Sequence, residues 1–327
     1  MAVEVLSQFD TSVACKSEDG YNFLDLFAGM GGFSLGAKWA GVPIKRHYFC
    51  EQDPPVLRSE ANEIETALDS GWFKEAQVKA LRKEREKLKQ EATYVSWLID
   101  KYKRNFEEAI YVGDIRNINL QRDGKWIIAG GFPCQDLSTA KVGAEGIAGA
   151  RSGLWFRMLG IIRLFRPDLV VVENVPALTF RGLDAVLGSL ARIGYDAEWQ
   201  VIRASDMGAT HQRKRIWIVA YPQGTGATLG NFDRQRSQGR RSSGKRPGQW
   251  IARPPGSGFW SGVREREGRD GITRFVKPGI FPLSAGVPRR VFKLKAIGNS
   301  IVPQIAELLF NLAINSGIIL RSEEINR

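Results

Sequence analysis

Two short stretches of the sequence carry side chains that could perform covalent chemistry together. The stretch GGFPCQDLS places Cys134 directly after Pro133 at the end of an apolar run, and the stretch PDLVVVENV ends in Glu173 and Asn174. A cysteine thiolate attacks well and can later leave. A carboxyl group at the end of a buried strand is either paired or functional, because an isolated buried charge is costly. The alternative for the cysteine is a small buried apolar residue, as most free cysteines are.

The apolar segments that deliver these residues predict a parallel sheet. Five segments have strand patterns, and they end near Phe27, Glu51, Asp114, Cys134 and Glu173. The β-branched run VVVENV is typical of a parallel strand that is buried on both faces. Because the carboxyl ends of parallel strands share one edge of a sheet, we expect these side chains to line a common cleft.

The first segment, YNFLDLFAGMGGFSLGAKWAG, has the strand, glycine turn and helix order of a nucleotide pocket. Its glycines, Gly29, Gly31 and Gly32, would let the backbone approach a ligand closely. Glu51 follows at the spacing at which such folds place a carboxylate on ribose hydroxyls, and Asp114 is either a further ligand or a helix N-cap. The turn lacks the GxGxxG spacing of a dinucleotide site. A nucleoside carrying a small zwitterion, S-adenosylmethionine being the commonest, fits better.

The charge of the chain favours a polyanionic partner. The net charge is +12 and the pI about 9.7, and residues 221–295 hold sixteen basic and four acidic residues, a net charge equal to that of the whole chain. Aromatic residues are interleaved there, which suits phosphate contact with base stacking, although a basic linker is equally compatible with 231–248.

Three cysteines and two histidines favour neither a disulfide framework nor a metal site. Without an evident leader or an apolar run of membrane-spanning length, we expect a cytoplasmic protein.

The region 56–108 differs from the rest of the chain because its eleven basic residues balance eleven acidic ones. Leu81, Leu88, Val95 and Tyr102 recur every seven residues, which predicts amphipathic helix and a helical pair packed on the main body. We interpret the region as a solvated structural insertion.

Taken together, the motifs resemble those of the DNA cytosine C5-methyltransferase family. The ordered series is DLFAGMGGFSLG, Glu51, Asp114, GFPCQDLS, ENV, RKRIWIVA and IGNSIVP, and PCQ followed by ENV and then RxR is its specific part. The resemblance implies a doubly wound, mostly parallel α/β sheet of the Rossmann-like methyltransferase type with a small basic recognition lobe. It divides the chain into a catalytic domain, 1–220 with 285–327, and a recognition region, 221–284.

The resemblance also implies a mechanism and its residues. Cys134 would add to C6 of a flipped cytosine, Glu173 would protonate or hydrogen-bond N3, and Asn174 would brace the loop. Arg215 would meet the base O2, and Arg213 would lie close to the nucleophile and nearby backbone.

The S-adenosylmethionine site would comprise Phe27, Ala28, Gly29, Gly31, Gly32, Glu51, Asp114, Ile115, Pro133, Asn299 and Ser300. The DNA contacts would include Gln135, Ser138, Arg240, Arg241, Lys245 and Arg246. No metal is implied. Because Asn299 lies far along the sequence from Gly29, the last helix should fold back beside the first.

Three features qualify this resemblance. Thr210 and His211 replace the proline and glutamine usual before the RxR strand, the insertion separates Glu51 from Asp114, and the recognition region is short, glycine-rich and poor in strand patterns. The later part of that region resembles compact phage and prophage members. We therefore expect a monomeric bacterial or phage-borne enzyme that acts on double-stranded DNA at the nucleoid, with or without a restriction endonuclease partner.

Two other functions fit the sequence less well. A tRNA cytosine methyltransferase of the same family would share the basic surface, but the PCQ tripeptide favours DNA. A catalytically inactive DNA-binding paralogue would be expected to lack the cysteine or the ENV acid, and both are present.

Overall fold

A computed structural model of the protein describes residues 20–133, 153–207, 209, 211–226, 264–267, 273–276 and 290–320. Seven strands of this part form one sheet: β1 Tyr21–Leu26, β2 Ile44–Cys50, β3 Ile110–Tyr111, β4 Lys125–Gly130, β5 Leu169–Asn174, β6 Tyr195–Arg203 and β7 Lys214–Pro222. All five strands predicted from the sequence are present. The third is shorter than predicted, because only Ile110 and Tyr111 pair with β2.

The strand order of the sheet is β3-β2-β1-β4-β5-β7-β6. The first five strands in this order run parallel, and β7 is antiparallel to both β5 and β6. The predicted mostly parallel α/β sheet is therefore confirmed. The chain order reverses between β1 and β4, and in such sheets a ligand binds outside the carboxyl ends of the strands at this reversal.

Helices cover both faces of the sheet. They are α1 Gly32–Trp39, α2 Pro54–Asp69, α3 Glu75–Asn105, α4 Gly153–Phe165, α5 Leu178–Arg181, α6 Leu183–Arg192, α7 Arg290–Asn299 and α8 Pro303–Asn315. Alternate strand residues face opposite layers. Phe23, Ile127 and Val171 pack under α1 and α8, whereas Leu24, Ile128 and Val170 pack under α4 and α6. The predicted return of the last helix to the first is confirmed, because Gly36 of α1 lies against Ala306 of α8.

The insertion is the predicted pair of helices, but it is not merely solvated. One face of the second half of α3 is buried, and a small core forms where Val95 and Leu98 meet Leu57 of α2 and Ala296 of α7. Further along α3, Tyr102 is fully buried against Phe49 of the sheet. The heptad spacing marked these positions correctly, but a helical pattern does not tell whether the apolar face meets its partner helix or the main body.

The recognition region also differs from the expectations. It contains a hairpin, β8 Arg264–Glu267 with β9 Thr273–Val276, although its sequence is poor in strand patterns. Its RERE strand is built from charged residues, so hydrophobic alternation does not mark it.

One stretch of the described residues, Val291–Asn315, reaches the length and mean hydropathy (1.3) of a membrane-spanning helix, contrary to expectation. It comprises two helices, α7 and α8, that are separated at residues 300–302. Half of the stretch is buried inside the protein. The core helix of a globular protein passes the same test, and α8 is such a helix, since it packs on α1.

Candidate functional site

The glycine turn after β1 has one open position and two crowded ones. Phe27, Gly29 and Gly31 all have positive φ angles, of 55°, 53° and 80°. Among the described residues, a Cβ atom on Gly29 would meet only the Phe27 carbonyl oxygen, at 4.0 Å, whereas one on Gly31 would lie 2.5 Å from Phe106 and one on Gly32 2.4 Å from Ile301. Gly29 thus leaves room beside the turn. Gly31 and Gly32, expected at the cofactor, leave room for side chains of the protein itself.

Glu51 lies at the end of β2 and is tied to this turn. The backbone N–H of Gly29 donates to Glu51 Oε2 at 3.0 Å, and that of Gln52 donates to Oε1 at 3.2 Å. Burial raises the pKa of Glu51, and the charges of Glu91 and Asp114 raise it further, while the two N–H donors lower it. Each carboxylate oxygen can accept a second hydrogen bond, so the group retains capacity for ligand hydroxyls.

Asp114 caps a short 3₁₀ helix, Ile115–Asn117, which was the alternative interpretation of this acid. Its carboxylate accepts from the backbone N–H of Arg116 at 2.8 Å and from the Arg116 guanidinium at 2.8 and 2.9 Å. The side chain of Ile115 is buried in the core under α4. Both residues therefore have structural partners of their own at the end of β3.

Glu173 and Arg215 form an ion pair at the edge where β5 ends and β7 begins. The distance from Arg215 Nε to Glu173 Oε1 is 2.8 Å. Burial raises the pKa of Glu173 to about 7, against the opposing effect of Arg215 and Arg213. The other carboxylate oxygen lies above Gly131, where a Cβ atom would be only 2.9 Å away. This carboxyl can therefore be neutral or charged near neutral pH, as an acid–base group requires.

Asn174 connects the end of β5 to the segment that leads to Cys134. Its Nδ2 donates to the Phe132 carbonyl oxygen at 2.9 Å, and its Oδ1 accepts from the Val175 N–H at 2.8 Å. The side chain is 3% exposed, so both bonds are shielded from water. The contact fixes the backbone two residues before Cys134.

Arg213 holds the segment 298–301, which comprises the end of α7 and the residues that follow it. Its guanidinium donates to the carbonyl oxygens of Gly298 and Ser300, the former at 2.9 Å. This segment contains the predicted cofactor residues Asn299 and Ser300, and its Ile301 fills the space above Gly32. Arg213 thus joins the start of β7 to the segment that covers Gly32 of the glycine turn. Its predicted place close to the nucleophile stays a prediction, because Cys134 lies outside the described residues.

A buried polar cluster beneath the glycine turn was missed by the sequence analysis. Asp25, Ser34, His47 and Tyr102 converge there from β1, α1, β2 and α3. Burial lowers the pKa of His47 to about 4 and raises that of Asp25 to about 7. The heptad spacing marked Tyr102 as a buried position, but no sequence signal indicated hydrogen bonds between residues so far apart along the chain.

Several predicted site residues fall outside the described residues: Cys134, Gln135, Ser138, Arg240, Arg241, Lys245 and Arg246. Pro133, the last described residue before Cys134, follows directly on Phe132. No group of three or more potential metal ligands occurs within the described ranges.

The sequence model of C-5 cytosine-specific DNA methylases matches residues 81–246 of the chain. The type II methyltransferase M.Sau3AI of Staphylococcus aureus is 34% identical over 140 residues, which are 38% of this chain and 33% of the relative. M.HhaI of Haemophilus parahaemolyticus is 26% identical over 211 residues, 63% of this chain and 50% of the relative. M.HaeII of Haemophilus aegyptius is 28% identical over 206 residues, 62% of this chain and 50% of the relative. The chain spans about a third to a half of the length of these relatives. The match to the family model covers half of the residues of this chain, and it includes Phe132, Glu173 and Arg215 at the sheet edge described above. The chain therefore belongs to the C-5 cytosine-specific DNA methylase family.

Proposed function

We propose that the protein transfers a methyl group from S-adenosylmethionine to C5 of cytosine in double-stranded DNA, with Cys134 as the covalent nucleophile. The observation that carries this proposal is Glu173. Its carboxyl has a pKa raised to about 7, is paired with Arg215, and lies against Gly131, three residues before Cys134. A thiol three positions along the sequence from Gly131 and a titratable carboxyl packed on Gly131 would supply the two groups that cytosine C5 chemistry requires.

The residues around the glycine turn fit a nucleoside that carries an amino-acid side chain. The open space at Gly29 lies beside the Glu51 carboxylate, which would hold ribose hydroxyls. Asp25 Oδ1 is buried and has no hydrogen-bond partner among the described residues. Phe27, held at a positive φ angle directly after β1, would lie against the base. When bound, S-adenosylmethionine would supply an electrophilic methyl group at this crevice.

The protein's own groups would activate the cytosine. Inside a duplex C6 is covered, so the target nucleotide must first be flipped out of the stack. The Cys134 thiolate then forms a bond to C6 while Glu173 gives its proton to N3, which neutralises the charge that develops in the ring. The paired Arg215 keeps the Glu173 side chain oriented toward the edge of the sheet. After C5 is methylated, a base removes the C5 proton, the bond from sulfur to C6 breaks to release the thiolate, and N3 returns its proton to Glu173.

Phosphate contacts would offset the cost of flipping. Unstacking one nucleotide costs on the order of a few kcal/mol, and lysine and arginine contacts to the DNA backbone supply binding energy of that size. The basic segment 221–295 is the source that we propose, with the boundary between catalytic domain and recognition region near the end of β7 at Pro222. We place the reaction in a bacterial or phage-infected cell and expect a monomer. The proposal holds with or without a restriction endonuclease partner.

Methyl transfer from labelled S-adenosylmethionine to duplex DNA and to tRNA tests the proposal. We expect incorporation into duplex DNA, a denaturation-resistant adduct with duplex that contains 5-fluorocytosine, and neither with Cys134→Ser. Bisulfite sequencing of the product would give the target sequence. Methylation of tRNA in place of DNA would establish the tRNA alternative. A Cys134→Ser variant that still methylated DNA would overturn the assignment of Cys134 as the nucleophile. The absence of both adduct and methyl transfer in the wild-type protein would indicate a DNA-binding protein without activity.

A further inference from the structure

Tyr102, near the end of the long insertion helix α3, makes hydrogen bonds beneath the glycine turn. Its hydroxyl donates to Asp25 Oδ2 at 3.1 Å and lies 2.5 Å from Ser34 Oγ and 2.9 Å from His47 Nε2. Ser34 in turn donates to the same Asp25 oxygen at 2.7 Å. Asp25 and Tyr102 are fully buried. Hydrogen bonds of this kind are costly to break, because a buried group left unpaired cannot turn to water.

The Tyr102 ring also occupies space that the turn leaves free. A Cβ atom on Gly31 would lie 2.9 Å from the Tyr102 ring and 2.5 Å from that of Phe106, the residue that directly follows α3. The backbone of Gly31 has a φ of 80°. The glycine turn, which carries the open position at Gly29, therefore packs directly against the insertion through Gly31.

The Tyr102 ring also packs on β2. The ring stacks on Phe49 with centroids 4.0 Å apart and planes within 12° of parallel. Phe49 is two residues before Glu51, and the intervening Cys50 accepts a hydrogen bond from the Ala28 N–H of the turn at 3.0 Å. One side chain thus contacts β1, α1 and β2, the three elements that carry the turn and the Glu51 carboxylate.

We propose that Tyr102 is a positioning residue for the cofactor pocket, and that α3 of the insertion is a structural part of that pocket. The inference rests on the proposed function, in which the turn and Glu51 hold S-adenosylmethionine. Loss of the Tyr102 hydroxyl would leave Asp25 and Ser34 short of a partner and loosen the turn relative to Glu51. The affinity for the cofactor would then fall, while the DNA-binding residues would be unaffected.

The substitution Tyr102→Phe, with Tyr94→Phe as the matched control, tests this role. Tyr94 is also buried on α3, but no hydrogen bond to its hydroxyl occurs within the described part of the chain, and its ring contact with Lys295 survives the change. We expect Tyr102→Phe to weaken binding of S-adenosylhomocysteine, measured by titration calorimetry without DNA, about tenfold. KM for S-adenosylmethionine should rise equally and KM for duplex DNA should change less than twofold. Tyr94→Phe should change none of these values.

A double-mutant cycle separates positioning from general stability. Ser34→Ala should also weaken binding of S-adenosylhomocysteine, and adding it to Tyr102→Phe should cost less than the sum of the two, because both remove the same hydrogen-bonded unit. A Tyr102→Phe protein with a lower melting temperature but unchanged affinity would overturn the proposal and indicate a merely structural tyrosine. A wild-type protein that bound no S-adenosylhomocysteine would overturn the proposed function and this inference with it.

Discussion

The carboxylate of Glu173 occupies the space that a side chain at Gly131 would need, since a Cβ atom there would lie 2.9 Å from Oε2. Gly131 follows β4 and Glu173 is near the end of β5, and the two strands are parallel neighbours. The absence of a side chain on one strand thus permits the acid of the next strand to lie across the segment that leads to Cys134. This relationship joins the two motifs that identify the family.

Gly131→Ala should therefore damage catalysis more than stability. The added methyl group would displace the Glu173 carboxylate and lengthen its 2.8 Å contact with Arg215. We expect kcat to fall about 100-fold, the lower range of what a positioned acid contributes. Gly160→Ala is the control, because Gly160 is exposed on α4 and its Cβ would meet no atom of the described part of the chain within 4 Å. That variant should retain activity and gain roughly 0.5–1 kcal/mol in free energy of unfolding. A Gly131→Ala enzyme with wild-type kcat would contradict the role given to Glu173.

The pH dependence of kcat should report Glu173. Its pKa is raised to about 7, and the proposed mechanism uses the protonated form. The rate should therefore fall as the pH rises through about 7, when the carboxyl loses its proton. Glu173→Gln should lower kcat about 100-fold or more and abolish this decline, because an amide does not titrate. Single-turnover rates of the wild type and of Glu173→Gln between pH 5.5 and 9 would measure this decline. A decline that persists in Glu173→Gln would belong to another group.

Asn174→Leu should separate catalysis from cofactor binding. The variant keeps the volume but leaves the buried Phe132 carbonyl and the Val175 N–H without their partners, at a cost of about 1–3 kcal/mol. We expect kcat to fall about tenfold to 100-fold as the segment before Cys134 loosens, with the affinity for S-adenosylhomocysteine changed less than threefold. Asn62→Leu, on the exposed surface of α2, should change neither value. Equal losses of affinity and kcat would place Asn174 in the cofactor site instead.

Asp25 should make the protein less stable as the pH rises. Burial raises its pKa from 3.8 to about 7, against the hydrogen bonds from Ser34 and Tyr102. The folded state therefore binds a proton that the unfolded state releases, and the free energy of unfolding falls between about pH 4 and pH 7. The effect is on the order of a few kcal/mol. Asp25→Asn should flatten this part of the curve, measured by urea unfolding at pH 4 to 8. Identical slopes in both proteins would show that Asp25 is not the group that titrates.

The buried polar cluster shows where sequence reasoning ended. The spacing of Leu81, Leu88, Val95 and Tyr102 predicted one apolar face of a helix, and that face exists. The same pattern is compatible with a helix that packs only on its partner. Whether Tyr102 would reach Asp25, 77 positions away, depends on how α3 lies against the sheet, and local periodicity contains no information on that angle.

By itself, the sequence determined the identity and the order of the chemical groups. Strand patterns and turn residues act over a few neighbouring positions, so the parallel sheet, the glycine turn, and the placement of Glu173 and Asn174 at a strand end could be predicted from the chain alone. The tertiary structure decided how these groups are used. It assigned Gly31 and Gly32 to packing against Phe106 and Ile301, tied Arg213 to the end of α7 and the segment after it, and buried Tyr102 of the insertion beneath the glycine turn. These outcomes depend on contacts between residues distant in sequence, which form only when the helices and the sheet pack together.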